Sequence, residues 1–274
     1  MSSPNPPAKS TDRREEARQR AMKIQQEQEA RERRSRLIVL ISVILGVGLV
    51  VGIGYWILSQ QQSDVANVTE FPDDVAVPSV ASPEDGAITV FNGELTSETP
   101  AGVPVVDVYL DFMCTHCADF EMTNGEWMKE AANSGEFAMR LHPIAILGSQ
   151  YSETIGSAFF YIAENSPEHA LDFAYQAFAN YSQTGQSDDQ LRAHAETVGV
   201  PQEHIDKMLD GDYVRFIKAA SSITLSDESL RNADGGFGTP AVFINDEYST
   251  VNWTDPNLLR EAISSAEPVG GAAE

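Results

Sequence analysis

The sequence predicts an α/β fold with an inserted helical subdomain, preceded by a single transmembrane helix. Three observations carry that reading. Runs rich in Val, Ile, Tyr and Phe alternate with helically spaced stretches in the order β-β-α-β, five helices, β-β-α. That order joins a parallel β-α-β unit, through helices, to a β-β-α unit. Ahead of it lies an uncharged run of 22 residues, 37–58.

Residues 1–36 carry a net charge of +4 and the remainder −27, giving −23 overall. Residues 12–36 are rich in helix formers of mixed charge and read as a solvated juxtamembrane helix. At 1.5 Å per residue the run 37–58 reaches about 33 Å, enough to cross a hydrocarbon core of ~30 Å. Tyr55 and Trp56 suit the outer interface, while Arg31, Arg33, Arg34 and Arg36 crowd the inner end. The expected topology is a single-pass cell-membrane protein with a cytoplasmic N-terminus and its domain outside the cytoplasm. A cleaved signal peptide fits less well, because the preceding segment is long and no small-x-small site follows. A domain so acidic repels nucleic acid, which is not expected as a partner.

Residues 59–84 read as an extracytoplasmic linker interrupted by Pro72, Pro78 and Pro83, and the folded domain as 85–266. Within it, 87–91 and 103–112 read as strands, 117–132 as a helix and 137–147 as a third strand. The helical insertion spans about 150–232, with helices at 151–165, 167–181, 188–198, 201–210 and 213–232. Ser166-Pro167 and Ser187-Asp188-Asp189 are start signals. Phe159, Phe160, Phe173 and Phe178 read as the insertion's core. A strand follows Thr239, Asn245-Asp246-Glu247 reads as a hairpin turn, and 256–265 as the last helix. The tail 267–274 is expected to be disordered.

The chain has two cysteines, in Cys114-Thr115-His116-Cys117, directly after the second strand. One helical turn brings such a pair close enough to bridge, and a helix N-terminus favours the thiolate of the first. Outside the cytoplasm such thiols oxidise. A two-residue disulfide loop constrains the unfolded chain little, so a purely structural clip is poorly motivated. No fourth ligand for a metal at Cys114, His116 and Cys117 is evident. Covalent haem attachment needs His where the chain has Ala118. Neither metal nor cofactor is therefore expected.

Asp111-Phe112-Met113-Cys114-Thr115-His116-Cys117, followed by Phe120, resembles the active-site segment of DsbA-like thiol–disulfide oxidoreductases. Their thioredoxin fold carries a helical insertion between its halves. Gly238-Thr239-Pro240 before an apolar strand resembles the family's cis-proline loop, and Leu141-His142-Pro143 fits the strand end between them. The resemblance covers about residues 85–265. It implies that Cys114 is the exchanging sulfur, that Cys117 is the buried resolving thiol, and that His116 favours the Cys114 thiolate. It further implies that Thr239 and a cis Pro240 pair with an extended substrate. Asp111 matches an acidic position of these relatives, as a buried proton acceptor or as a surface charge at the strand end. Thr115 departs from the proline many relatives carry.

The implied function is a membrane-anchored oxidase that donates the Cys114–Cys117 disulfide to exported protein thiols. Such an enzyme is reoxidised by a quinone-linked membrane partner. A reductase or isomerase of the same fold, and a non-catalytic thioredoxin-like binding module, are the alternatives.

Overall fold

Strand β3 (Val105–Leu110) is buried along its whole length, and its alternation decides what each face of the sheet holds. Val106, Val108 and Leu110 enter the main core, while Tyr109 packs with Ile144, Ala241 and Phe243 on the opposite face. A central strand covered on both sides reads as a near-continuous apolar run, broken here only by Asp107. The computed structural model describes residue 65 and residues 67–270. The predicted membrane span at 37–58 and the segment 1–36 lie outside the described residues. Among the described residues, no helix is long and apolar enough to cross a membrane.

The sheet adds β1 (Ile88–Phe91), β2 (Glu94–Thr96), β4 (Ala138–Pro143), β5 (Ala241–Ile244) and β6 (Glu247–Tyr248), in the order β2-β1-β4-β3-β5-β6. β3 and β4 are parallel; β1 with β4, and β3 with β5, are antiparallel. The crossover between β3 and β4 holds α1 (Thr115–Phe120), a π-helical turn (Glu121–Gly125) and α2 (Glu126–Asn133). The insertion between β4 and β5 contains α3 (Gln150–Asn165), α4 (Ala170–Ala179), α5 (Asp188–Val198), α6 (Gln202–Ile205) and α7 (Val214–Ser226). Helix α8 (Pro256–Ser264) closes the chain order. Ser187 caps α5 through a reciprocal capping box with Gln190, and Asp255 caps α8. Phe159, Phe160, Phe173 and Phe178 are all buried in the core cluster.

The sequence reading departs from this architecture in several places. Strand β2 was not expected, although Asn92-Gly93 (φ 51° and 81°) is the left-handed pair a two-residue hairpin needs. The strand expected to run to 147 stops at Pro143, and the helix expected over 201–210 has one turn. Val65 and residues 67–84 pack onto the domain rather than forming a linker. Val65, Val75 and Ala81 are buried in the core, Phe71 stacks on Phe216 at 5.1 Å, and Asp74 pairs with Arg215 at 2.8 Å. Three prolines hide this because the buried residues follow no helical or strand period. Part of the expected tail is also pinned, since Val269 N–H donates to Val103 C=O (3.0 Å) and Gly102 N–H to Val269 C=O (2.8 Å).

A polar network lies within the sheet. Arg140 donates to Asp107 and to Asp85, each at 2.6 Å, and His142 Nε2 lies 2.8 Å from the same Asp107 oxygen. The His142 ring stacks on Tyr109 at 3.9 Å. Positions 107, 140 and 142 share one face of β3 and β4 through the parallel register.

Glu121 opens the π turn and lines an apolar cavity of about 190 Å³ with Leu110, Phe120, Met128, Phe159 and Phe178. A Cβ at Gly125 would stand 2.3 Å from Glu121 Oε1, so a side chain there would displace the Glu121 carboxyl. Burial raises the Glu121 carboxyl to about 7, against a smaller lowering by Lys129. The folded state thus binds a proton that the unfolded chain releases near 4.5, so stability falls as pH rises from about 4.5 to about 7. Glu121→Gln should therefore stabilise the protein by about 3 kcal/mol at pH 8 and hardly at all at pH 4. Urea unfolding at the two pH values measures the difference; an equal effect at both would contradict the assignment.

Candidate active site

The site is built where β3 runs out and α1 begins. Asp111 is fully buried, and its carboxylate accepts three hydrogen bonds. Met113 N–H (2.9 Å) and Ser152 Oγ (2.5 Å) donate to Oδ1, and Leu147 N–H (3.0 Å) donates to Oδ2. The surface-charge alternative for Asp111 is thus replaced by a buried anchor. It ties the reactive loop to the segment after β4 and to α3. Three donors hold the carboxylate in place, so the geometry supports a positioning role for it.

Cys114 is the N-cap of α1, with extended backbone (φ −87°, ψ 118°), and its N–H donates to Asp111 C=O at 2.9 Å. Both cysteines are free thiols, Cys114 8% exposed and Cys117 0%. Even the more accessible sulfur is therefore mostly covered. A hydrogen bond from Cys117 is the main influence drawing the Cys114 thiol down to about 6 from 9.0. Burial opposes it, while the Thr239 side chain and the backbone N–H groups of Cys117 and His116 add to it. Burial pushes the Cys117 thiol far up, and its neighbour Cys114 reinforces this. One helical turn therefore separates a ready thiolate from a thiol that holds its proton.

His116 is placed differently from expectation. Its side chain is 75% exposed and its Nδ1 lies 3.8 Å from Asp119, so the ring turns outward and the residue reaches the sulfur through its backbone N–H. Thr115 and His116 lie on the exposed face of α1, while the first amides of a helix face its start. Thr115 likewise aims its hydroxyl elsewhere, at Tyr181 Oη 3.0 Å away.

The Thr239–Pro240 peptide bond is cis. It brings Thr239 C=O to within 3.2 Å of the Cys114 sulfur, which donates to it in the dithiol form. This carbonyl is engaged while Cys114 keeps its proton and is released when the thiolate forms. The Thr239 N–H has no hydrogen-bond partner among the described residues. Beyond Pro240 runs a groove of about 340 Å³, with Val242, Val251, Trp253 and Leu259 on its apolar walls and Asp234, Ser249 and Thr250 on its polar ones. The π turn reaches this groove: buried Asn124 donates to Trp253 C=O (3.0 Å) and accepts from Trp127 Nε1 (3.2 Å). A π turn shifts the helix register and so turns a polar side chain inward.

Tyr181, Ser152 and Asn124 had no motif to reveal them. Tyr181 and Ser152 meet the site from elements distant in sequence, where only the fold supplies the meeting, while Asn124 sits in the π turn that follows α1.

The arrangement is that of a thiol-exchange fold, and comparison with known proteins agrees. The thioredoxin family model matches residues 98–263, and the chain belongs to that family. Its fold resembles MdbA, a thiol-disulfide oxidoreductase from Actinomyces oris, with 23% identity over 77% of this chain and 97% of that one, TM-score 0.56. Reduced DsbA from Mycobacterium tuberculosis matches with 22% identity over 66% of this chain and 94% of that one, TM-score 0.51. MdbA from Corynebacterium diphtheriae matches with 19% identity over 69% and 95%, TM-score 0.54. No curated protein matches by sequence. The fold is the DsbA-like form of the thioredoxin fold, with its helical insertion between β4 and β5.

Proposed function

We propose that this chain is a protein thiol–disulfide oxidoreductase, anchored in the cell membrane through residues 37–58 with its domain outside the cytoplasm. It works as an oxidase, donating the Cys114–Cys117 disulfide to exported proteins. The observation that carries this is the contrast between the two thiols, Cys114 drawn to about 6 and Cys117 pushed far up. A substrate thiolate attacks the Cys114 sulfur, forming a mixed disulfide and expelling Cys117, which takes up a proton. A second substrate thiolate then attacks the substrate sulfur and Cys114 leaves as the stable thiolate, so the substrate is oxidised by two electrons and the enzyme reduced by two. The low thiolate pKa makes Cys114 a good leaving group and favours the reduced enzyme, hence an oxidising disulfide.

The cis Thr239–Pro240 bond supports a role in substrate pairing. Its free N–H can hydrogen-bond an extended segment, and the groove beyond it accepts apolar side chains. Main-chain pairing tolerates many sequences, which suits unfolded exported substrates. Asp111 and His116 act through the Cys114 turn, the first by anchoring the loop and the second by its amide. Turnover requires a partner to accept two electrons and two protons, which a quinone-linked membrane reoxidase supplies.

Equilibration with glutathione tests the direction of electron flow. An oxidase should settle well above thioredoxin's potential, about −270 mV. A value near it would identify a reductase. Protease added to intact cells should degrade the domain; protection of the domain would overturn the orientation.

A further inference from the structure

We propose that Tyr181, in the helical insertion, is a positioning residue that sets the thiolate character of Cys114 through a clamp on the residues at either side of it. The inference rests on the oxidoreductase reading of the dithiol and adds a control element to it. Tyr181 Oη donates to Met113 C=O at 3.2 Å and lies 3.0 Å from Thr115 Oγ1. A phenol has one proton and a carbonyl has none, so the Tyr181 proton goes to Met113 and the Thr115 hydroxyl must donate to Tyr181. The chain runs from Thr115 through Tyr181 to Met113, each bond polarising the next. It closes around Cys114, which is residue 114 between them.

Other bonds complete the hold. The Met113 N–H is fixed by Asp111 Oδ1 and the Cys114 N–H by Asp111 C=O, each at 2.9 Å. The Met113–Cys114 peptide is therefore held at its C=O by the insertion and at its N–H by the sheet end. Tyr181 is itself braced. Its N–H donates to Phe178 C=O at 3.0 Å, and Phe178 stacks on Phe112 with ring centroids 4.6 Å apart. Gln186 donates to Ala177 and Asn180 carbonyls, and contacts His194 at 2.7 Å.

The consequence is preorganisation. The His116 and Cys117 amides favour the Cys114 thiolate only while the first turn of α1 keeps them directed at the sulfur. Donors already held in place stabilise a charge without reorganising when it forms. Releasing the clamp lets the turn fluctuate, weakens that stabilisation, and makes the disulfide less oxidising. Thr115, where many relatives carry proline, supplies the hydroxyl on which the clamp depends.

The test is a double-mutant cycle in the full chain with Tyr181→Phe and Thr115→Val, which keep ring and branched shape but delete one hydroxyl each. The pH dependence of Cys114 alkylation reads the thiolate; the glutathione equilibrium reads the potential. Each single variant should leave about three- to tenfold less thiolate near pH 6, the span of one neutral hydrogen bond. The glutathione equilibrium should move by the same factor toward reducing, tenfold being about 30 mV. The double variant should shift no further, and Thr115→Ser should stay near wild type. An unmoved alkylation midpoint in Tyr181→Phe overturns the clamp, as does a Tyr181→Phe shift that persists at full size in the Thr115→Val background. Loss of global stability alone would leave the midpoint in place and so also count against it. A wild type whose Cys114 alkylates normally but exchanges with no disulfide would overturn the oxidoreductase reading, while the alkylation cycle still decides the clamp.

Discussion

Cys117→Ala should accumulate mixed disulfides between Cys114 and exported proteins, while Cys114→Ala should accumulate none. The asymmetry follows from the site. Cys114 is the sulfur with a path to partners, beside the cis peptide at Thr239–Pro240, whereas Cys117 is wholly buried under the first turn of α1. In the wild type a mixed disulfide is resolved from within, by Cys117 or by a second substrate thiol. In Cys117→Ala the Cys114 thiolate attacks a substrate disulfide and expels one substrate thiolate. With the internal route deleted, the adduct persists until a second substrate thiol resolves it. Thiol-oxidase turnover should fall to background in both variants, since neither can close the Cys114–Cys117 bond. Non-reducing gels of cells expressing Cys117→Ala, with the adducts dispersed by reductant, measure it. An empty trap under oxidising conditions would favour a binding module over an enzyme.

Asp111→Ala should cost about 3 kcal/mol of stability, as three donors lose one shared acceptor and a buried unsatisfied group costs ~1–3 kcal/mol. The figure stays below the sum because water can enter the space vacated by the carboxylate. Asp111→Asn is the informative companion. Oδ1 serves two donors and Oδ2 one, so the amide nitrogen best replaces Oδ2 and opposes Leu147 N–H alone. That variant should lose about 1–2 kcal/mol. Urea unfolding of the reduced protein gives both values. If Asp111→Ala unfolded with the wild-type midpoint, the carboxylate would not anchor the loop.

Much of the site was legible because its chemistry is local. Cys114 and Cys117 share one helical turn, and Thr239-Pro240 precedes an apolar strand. The insertion's helices showed the 3.6-residue period, with Phe159, Phe160, Phe173 and Phe178 turning inward as their spacing implied. Strand β2 was missed despite a local signal, its three residues being too few to show alternation beside Asn92-Gly93.

By itself, then, the sequence determined the α/β class, the insertion, the dithiol at a helix start and the proline loop that meets it. Each of these is written in periodicity, in turn chemistry or in a short motif, which act between neighbours along the chain. Only the tertiary structure decided what surrounds the dithiol. It turned the His116 ring outward, placed donors from 113, 147 and 152 on the Asp111 carboxylate, and folded residues 67–84 onto the insertion. It also brought Tyr181 to Thr115 across 66 residues of sequence. A hydrogen bond of 3 Å between such distant residues leaves no period or spacing to read, because packing of whole elements sets it.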